Sequence, residues 1–160
     1  MIKEGPFLKR FAALMIFLVL VLALSTALAQ RVECPVGGFS VTMPDHFAEQ
    51  PLDAGAPDLC FYWKGKKLTV QAYVTEMGEY SFSDLFQVMT GNETESMSVT
   101  VNRMNMYYCA GTDSGGAYVM YSWADRGNYV AMYFYYPEND PTVLKTVDSI
   151  MNSIAFDAGH

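Results

Sequence analysis

The sharpest chemical signal in the chain is Thr112-Asp113-Ser114-Gly115-Gly116, one residue away from the Gly-Asp-Ser-Gly-Gly frame that surrounds a nucleophilic serine. Serine attack also needs a histidine base, a carboxylate to orient it and an oxyanion hole. The histidines are His46, in a loop, and His160, the last residue. A Gly/Asp/Ser hairpin loop accounts for the same residues without any chemistry. The carboxylate pairs Glu76/Glu79 and Glu93/Glu95 have the residue types of an acid and base flanking a glycosidic bond, but ordinary surface charge is the better explanation of them. Asp45 and His46 are adjacent donors, and on an extended segment neighbouring side chains point apart, which makes a poor ligand pair. There is no His-x-x-x-His, no EF-hand spacing and no Cys-x-x-Cys. The expectation is a non-enzymatic protein with no metal site and no cofactor.

Aromatic residues offer a different chemistry. All 11 Tyr and both Trp lie beyond residue 60, in clusters such as Phe61-Tyr62-Trp63, Tyr107-Tyr108, Tyr118 to Trp123 and Tyr129 to Tyr136. Such rings combine apolar area with a polar handle, which suits a protein partner or sugar stacking, while strands favour aromatics for packing alone. Tyr121, Trp123, Tyr133 and Tyr135 share parity on neighbouring strands, so they are expected to form one binding patch if a sheet face is incompletely covered.

Three cysteines, Cys34, Cys60 and Cys109, allow one disulfide in any of three pairings, with packing as small hydrophobes the plain alternative. Asn92-Glu93-Thr94 is a formal glycosylation sequon, meaningful only in a eukaryotic secretory pathway.

The first 29 residues point to where such surfaces work. Lys3, Lys9 and Arg10 precede an uncharged apolar run from Phe11 to Leu24, and Ala27-Leu28-Ala29 supplies small residues for cleavage. That run falls short of the roughly 20 residues that span a bilayer, so it reads as a secretory signal peptide, with a retained anchor as the alternative. Cys34 follows Arg31, Val32 and Glu33, which is not a lipobox. Cleavage after Ala29 leaves 131 residues with 7 basic and 16 acidic side chains, a net charge of −9. Nucleic acid and anionic lipid would be repelled by that balance, so neither is expected as a partner, nor a membrane beyond the signal. The reading is a bacterial protein that is secreted or held at the extracytoplasmic cell surface.

Periodicity supplies the elements that must hold these residues. Phe39 to Met43 alternates and stops at Pro44, as a strand would, and the stretch from Asp45 to Pro57 reads as a loop. Leu59 to Trp63 and Leu68 to Thr75 form a hairpin about Lys64-Gly65-Lys66-Lys67. Ser81 to Asp84 caps a short helix that Gly91 ends. Four strands follow, at Met97 to Val101, Met104 to Ala110, Ala117 to Trp123 and Tyr129 to Tyr136, the last two joined by Asp125-Arg126-Gly127-Asn128. Asp140 and Pro141 open a second helix, whose Leu144, Val147, Ile150, Met151 and Ile154 form one apolar stripe. Apolar residues on both faces of the long strands require cover on both sides. Residues 1–29 are thus the signal, 30–36 an N-terminal extension, 37–156 a single domain and 157–160 a tail.

This order of elements resembles the PsbP/Mog-like α/β/α sandwich, an α+β fold with an antiparallel β-sheet flanked by helices. The residues carrying the resemblance are Phe39-Ser40-Val41-Thr42-Met43-Pro44 and Ser149-Ile150-Met151-Asn152-Ser153-Ile154. The family includes a photosystem extrinsic subunit, a Ran-binding protein and many exported bacterial proteins of unknown role, most of them non-enzymatic. The resemblance implies a binding or accessory module for an unidentified protein partner, with a glycan or small ligand as the alternative. It carries over no functional residue.

Overall fold

The computed structural model describes residues 29–53, 57–91, 96–113, 116–137 and 140–157. The segment expected to be a signal peptide lies outside the described residues apart from Ala29, as do the sequon Asn92-Glu93-Thr94, Ser114 and His160. The strands are β1 (Gln30–Cys34), β2 (Phe39–Met43), β3 (Ala48–Glu49), β4 (Leu59–Trp63), β5 (Leu68–Glu76), β6 (Ser96–Val101), β7 (Met104–Asp113), β8 (Gly116–Asp125), β9 (Asn128–Tyr136) and β10 (Ala155–Phe156). The helices are α1 (Phe82–Thr90) and α2 (Pro141–Asn152).

Seven strands form one antiparallel sheet in the order β3-β4-β5-β9-β8-β7-β6, and β1-β2-β10 form a second, smaller sheet. Two-residue turns set the register of β6 against β7 and of β8 against β9. At the β8–β9 turn Arg126 and Gly127 have φ of 46° and 82°, the left-handed pair whose twist matches that of the flanking strands. The small sheet and α2 share one face of the large sheet with its main apolar core, where Phe39, Val41, Met43, Phe61, Val70, Met132, Phe134, Val147 and Ile150 are buried. On the opposite face α1 covers a smaller cluster of Cys109, Met120, Tyr129, Ala131 and Tyr133 with Phe82, Leu85 and Phe86. Cover on both faces follows from the two-sided apolar strands.

Each helix starts where its cap chemistry places it. The Ser81 hydroxyl accepts from the Asp84 N–H (3.2 Å) while the Asp84 carboxylate accepts from the Ser81 N–H (2.9 Å), a reciprocal capping box. Asp140 accepts from the Thr142 N–H at 3.1 Å, and Lys66 donates to the same carboxylate at 3.1 Å, tying the β4–β5 turn to α2.

The structure departs from the sequence expectation in several places. Gln30–Cys34, expected as an extension, is β1, whose five residues pair with β2 from Gln30↔Met43 to Cys34↔Phe39. Ala48–Glu49 and Ala155–Phe156 also join sheets, being too short for any periodicity to mark. The small sheet needs Gly38: its φ is +64°, and a Cβ there would lie 1.7 Å from Arg126 Nη2. That guanidinium in turn pairs with Asp125 (3.1 Å) and Asp157 (3.5 Å).

The cysteines form no disulfide; Cys34, Cys60 and Cys109 are free and buried. Cys60 pairs across to Gln71, Gln71 to Tyr133, Tyr133 to Met120 and Met120 to Cys109, so the two thiols sit at opposite ends of one cross-sheet row. Four strand spacings of about 4.8 Å separate them by roughly 19 Å, far beyond the ~7 Å a bridge tolerates. Cys34 belongs to the main core on the other face of the sheet.

Candidate functional site

The four aromatic residues singled out by parity do not form one patch. In the β8–β9 register Tyr121 faces Met132, Trp123 faces Val130, Tyr133 faces Met120 and Tyr135 faces Tyr118. Directly opposed residues share a face, so odd positions on β8 lie with even positions on β9. Tyr121 and Trp123 therefore point to the α2 side, and Tyr133 and Tyr135 to the α1 side. The Asp125-Arg126-Gly127-Asn128 turn held the signal for this: a two-residue loop opposes Asp125 to Asn128, and that odd-to-even pairing propagates along both strands.

Their environments differ as much as their faces. Trp123, 1% exposed, is a core residue set edge-on to Phe39 (5.2 Å) and Phe156 (6.0 Å). Tyr133 is buried, and its ring lies nearly parallel to that of half-buried Tyr135, 8° apart at 5.6 Å. Tyr118 flanks both rings at 6.2 and 6.0 Å, and Tyr73 meets Tyr133 edge-on at 5.9 Å. The Tyr133 hydroxyl donates to the Met89 carbonyl at 3.4 Å and Tyr73 donates to Gln71 Oε1 at 3.2 Å. This gives an uncharged tyrosine face where α1 ends.

Tyr121 instead lies at the floor of a groove between α2 and strands β6 to β8. Met97, Val99, Tyr108, Leu144, Val147 and Asp148 complete its walls around about 290 Å³. Tyr108 packs edge-on against Tyr121 at 5.2 Å. Burial, with smaller contributions from the Asp148 carboxylate and Tyr108, pushes the Tyr121 hydroxyl up to about 12. Leu144 also lines an adjoining cleft of about 350 Å³ with Tyr136, Asp140 and Pro141, so the two run together along α2. Expected on the buried stripe, Leu144 is 38% exposed, and Met97 is 59% exposed. The buried stripe is Val143, Val147, Ile150 and Met151, a rotation that leaves Leu144 at the rim. Sequence reasoning missed Leu144, Met97, Tyr108 and Asp148 as a group, because elements far apart in the chain bring them together.

A third cavity, about 300 Å³, lies on the other face between α1 and the sheet edge, walled by Phe82, Phe86, Gln87, Thr90, Ser96 and Tyr107. Phe82 and Phe86 hold the Tyr107 ring at 5.1 and 5.6 Å. Among the described residues no three His, Cys, Asp or Glu side chains converge as a metal site. Asp45 and His46 do meet, Oδ1 to Nδ1 at 3.3 Å, because they sit in a turn and not on the extended segment expected. The imidazole packs against Trp63 at 3.8 Å between centroids, its plane tilted by 41°.

No protein-family model matches the chain, and no curated protein matches it. Solved structures do. The solution structure of cyanobacterial PsbP (CyanoP) from Synechocystis sp. PCC 6803 superposes with a TM-score of 0.59 at 11% identity, over 81% of this chain and 93% of that one. LpqN, described as involved in cell envelope biogenesis of Mycobacterium tuberculosis, gives 0.52 at 12% identity over 81% and 90%. A protein from Bacteroides thetaiotaomicron gives 0.54 at 15% identity, with 81% of this chain matching 48% of a longer one. The fold is PsbP-like, an α+β arrangement of antiparallel sheets and two helices.

Proposed function

We propose that the chain is an exported, non-enzymatic accessory module that binds a protein partner outside the cytoplasm through the groove along α2. The observation that carries this reading is the run of two clefts joined at Leu144, with exposed Met97 and Leu144 on its rim and Tyr108 and Tyr121 at its base. Large apolar and aromatic side chains at a concave surface are the anchors that protein interfaces favour. Support for export comes from the N-terminal sequence, and support for an accessory or envelope role from fold neighbours such as LpqN. The test is capture from an extracytoplasmic extract with tagged Gln30 to His160, beside a Leu144→Asp variant. A protein held by the parent and released by the still-folded variant supports the reading; retention unchanged by the variant moves the binding surface elsewhere.

The second reading is a neutral glycan on the tyrosine face. It is favoured by the parallel rings of Tyr133 and Tyr135 beside Tyr118, with the amide of Gln71 in the same row and no charged group in it. Oligosaccharide titration followed by NMR, with shifts confined to Tyr118 and Tyr135, distinguishes it from the groove.

A further inference from the structure

The two edges of the seven-stranded sheet are guarded very differently. One edge is β3, only two residues long and ending in Glu49, which leaves little backbone to pair with. The other is β6, Ser-Met-Ser-Val-Thr-Val, pairing without a bulge from Ser96↔Cys109 to Val101↔Met104. It contains no charge and no proline, its residues are exposed or half-buried, and among the described residues its outer backbone edge has no partner. Such an edge, long, regular and β-prone, is a template for another strand.

We propose that β6 pairs antiparallel with β6 of a second copy, forming a two-fold dimer with one continuous sheet. The proposal goes beyond the partner-binding reading and does not depend on it. Charge favours this site over the rest of the surface: the chain carries a net −7, so two copies repel broadly, and β6 is an uncharged strand at which they can meet. Its alternation is also self-complementary. Met97, Val99 and Val101 lie on the α2 face, and Ser96, Ser98 and Thr100 on the α1 face. A two-fold axis normal to the sheet keeps α2 face with α2 face, so it must pass through a residue pair. With the axis at Ser98, Met97 meets the partner's Val99 and Ser96 meets the partner's Thr100. With it at Val99, Met97 meets the partner's Val101. Either register covers the exposed Met97, matches hydroxyl rows with hydroxyl rows, and brings the two α2 grooves side by side. One added strand pair is a small interface, so the dimer is expected to be weak and concentration-dependent.

The test is sedimentation velocity on Gln30 to His160, which carries every described element, over rising concentration. The parent should shift from monomer toward dimer. A Ser98→Lys/Thr100→Lys variant changes exposed positions only and sets like charges across either register, so it should stay monomeric with an unchanged melting temperature. Oxidation of Ser98→Cys or of Val99→Cys should cross-link one of the two, since the native thiols are buried. A parent that stays monomeric, a dimer indifferent to the lysines, or cross-linking by neither cysteine overturns the proposal.

Discussion

Burial of titratable side chains gives the molecule a pH limit on the alkaline side. Burial pushes the Tyr121 and Tyr129 hydroxyls up to about 12 from 10.0, and the Cys109 thiol up to about 11 from 9.0. Tyr133 moves in the same direction for the same reason. In each case folding favours the neutral, protonated form, so the folded state holds more protons than the unfolded chain once pH exceeds the unfolded value. The stabilisation is complete below pH 9 and is lost as pH rises through 10 toward 12. Urea midpoints taken at steps across that range should fall steadily, with phenolate absorbance at the raised values appearing together with unfolding. Phenolate signal from every tyrosine near 10 in a still-folded protein would remove this account. Removing one of these hydroxyls by Tyr121→Phe should flatten the alkaline decline while leaving stability at neutral pH nearly unchanged.

Among the elements, α2 combines two duties on two sides of one helix. Ile150 is fully buried in the main core, and Ile150→Ala should cost about 2–5 kcal/mol through lost packing and the cavity left behind. Leu144, six residues earlier on the exposed rim, should tolerate Leu144→Asp within about 0.5 kcal/mol. Chemical denaturation of the two variants checks the contrast, and equal losses would place Leu144 in the core instead of on a groove. The start of the same helix responds to acid. The Thr142 hydroxyl, with Lys66, holds the Asp140 carboxyl below its ordinary 3.8. Its stabilisation is present above that value and is lost as pH falls through the lowered one. Asp140→Ala should therefore lower the melting temperature at neutral pH, with the gap from the parent closing in acid. These caps were legible in the sequence, as were the long strands, their turns and the need for cover on both faces, because each is written in local residue types and periodicity. The second sheet was not, since β1 is a mostly exposed strand without apolar alternation and β10 gains its structure from pairing with β2 across most of the chain. The groove was hidden for the same reason. Tyr121 could be named from its strand, but its neighbours Leu144 and Met97 are fixed by how α2 and β6 pack, not by spacing.

At the scale of the whole molecule, the cysteines connect the architecture to the compartment that the proposed export implies. An exported protein meets oxidants, and three thiols in one chain invite a bridge unless the fold prevents it. Here the fold keeps them apart: Cys60 and Cys109 occupy ends of a row that crosses five strands, and Cys34 lies in the core on the other face. Thiol exchange requires both an accessible sulfur and a thiolate. All three are buried, and burial also raises Cys34 and Cys109 away from the thiolate form. The protein recovered from an oxidising compartment should therefore show no thiol reactive toward an aromatic disulfide reagent while folded, and three once denatured. Reactivity should rise with denaturant along the same curve as tryptophan fluorescence, because the sheet that buries the sulfurs also buries Trp123. Fewer than three thiols in the denatured chain would mean that a bridge forms, and with it that the strands between Cys60 and Cys109, or the sheet separating both from Cys34, are arranged differently.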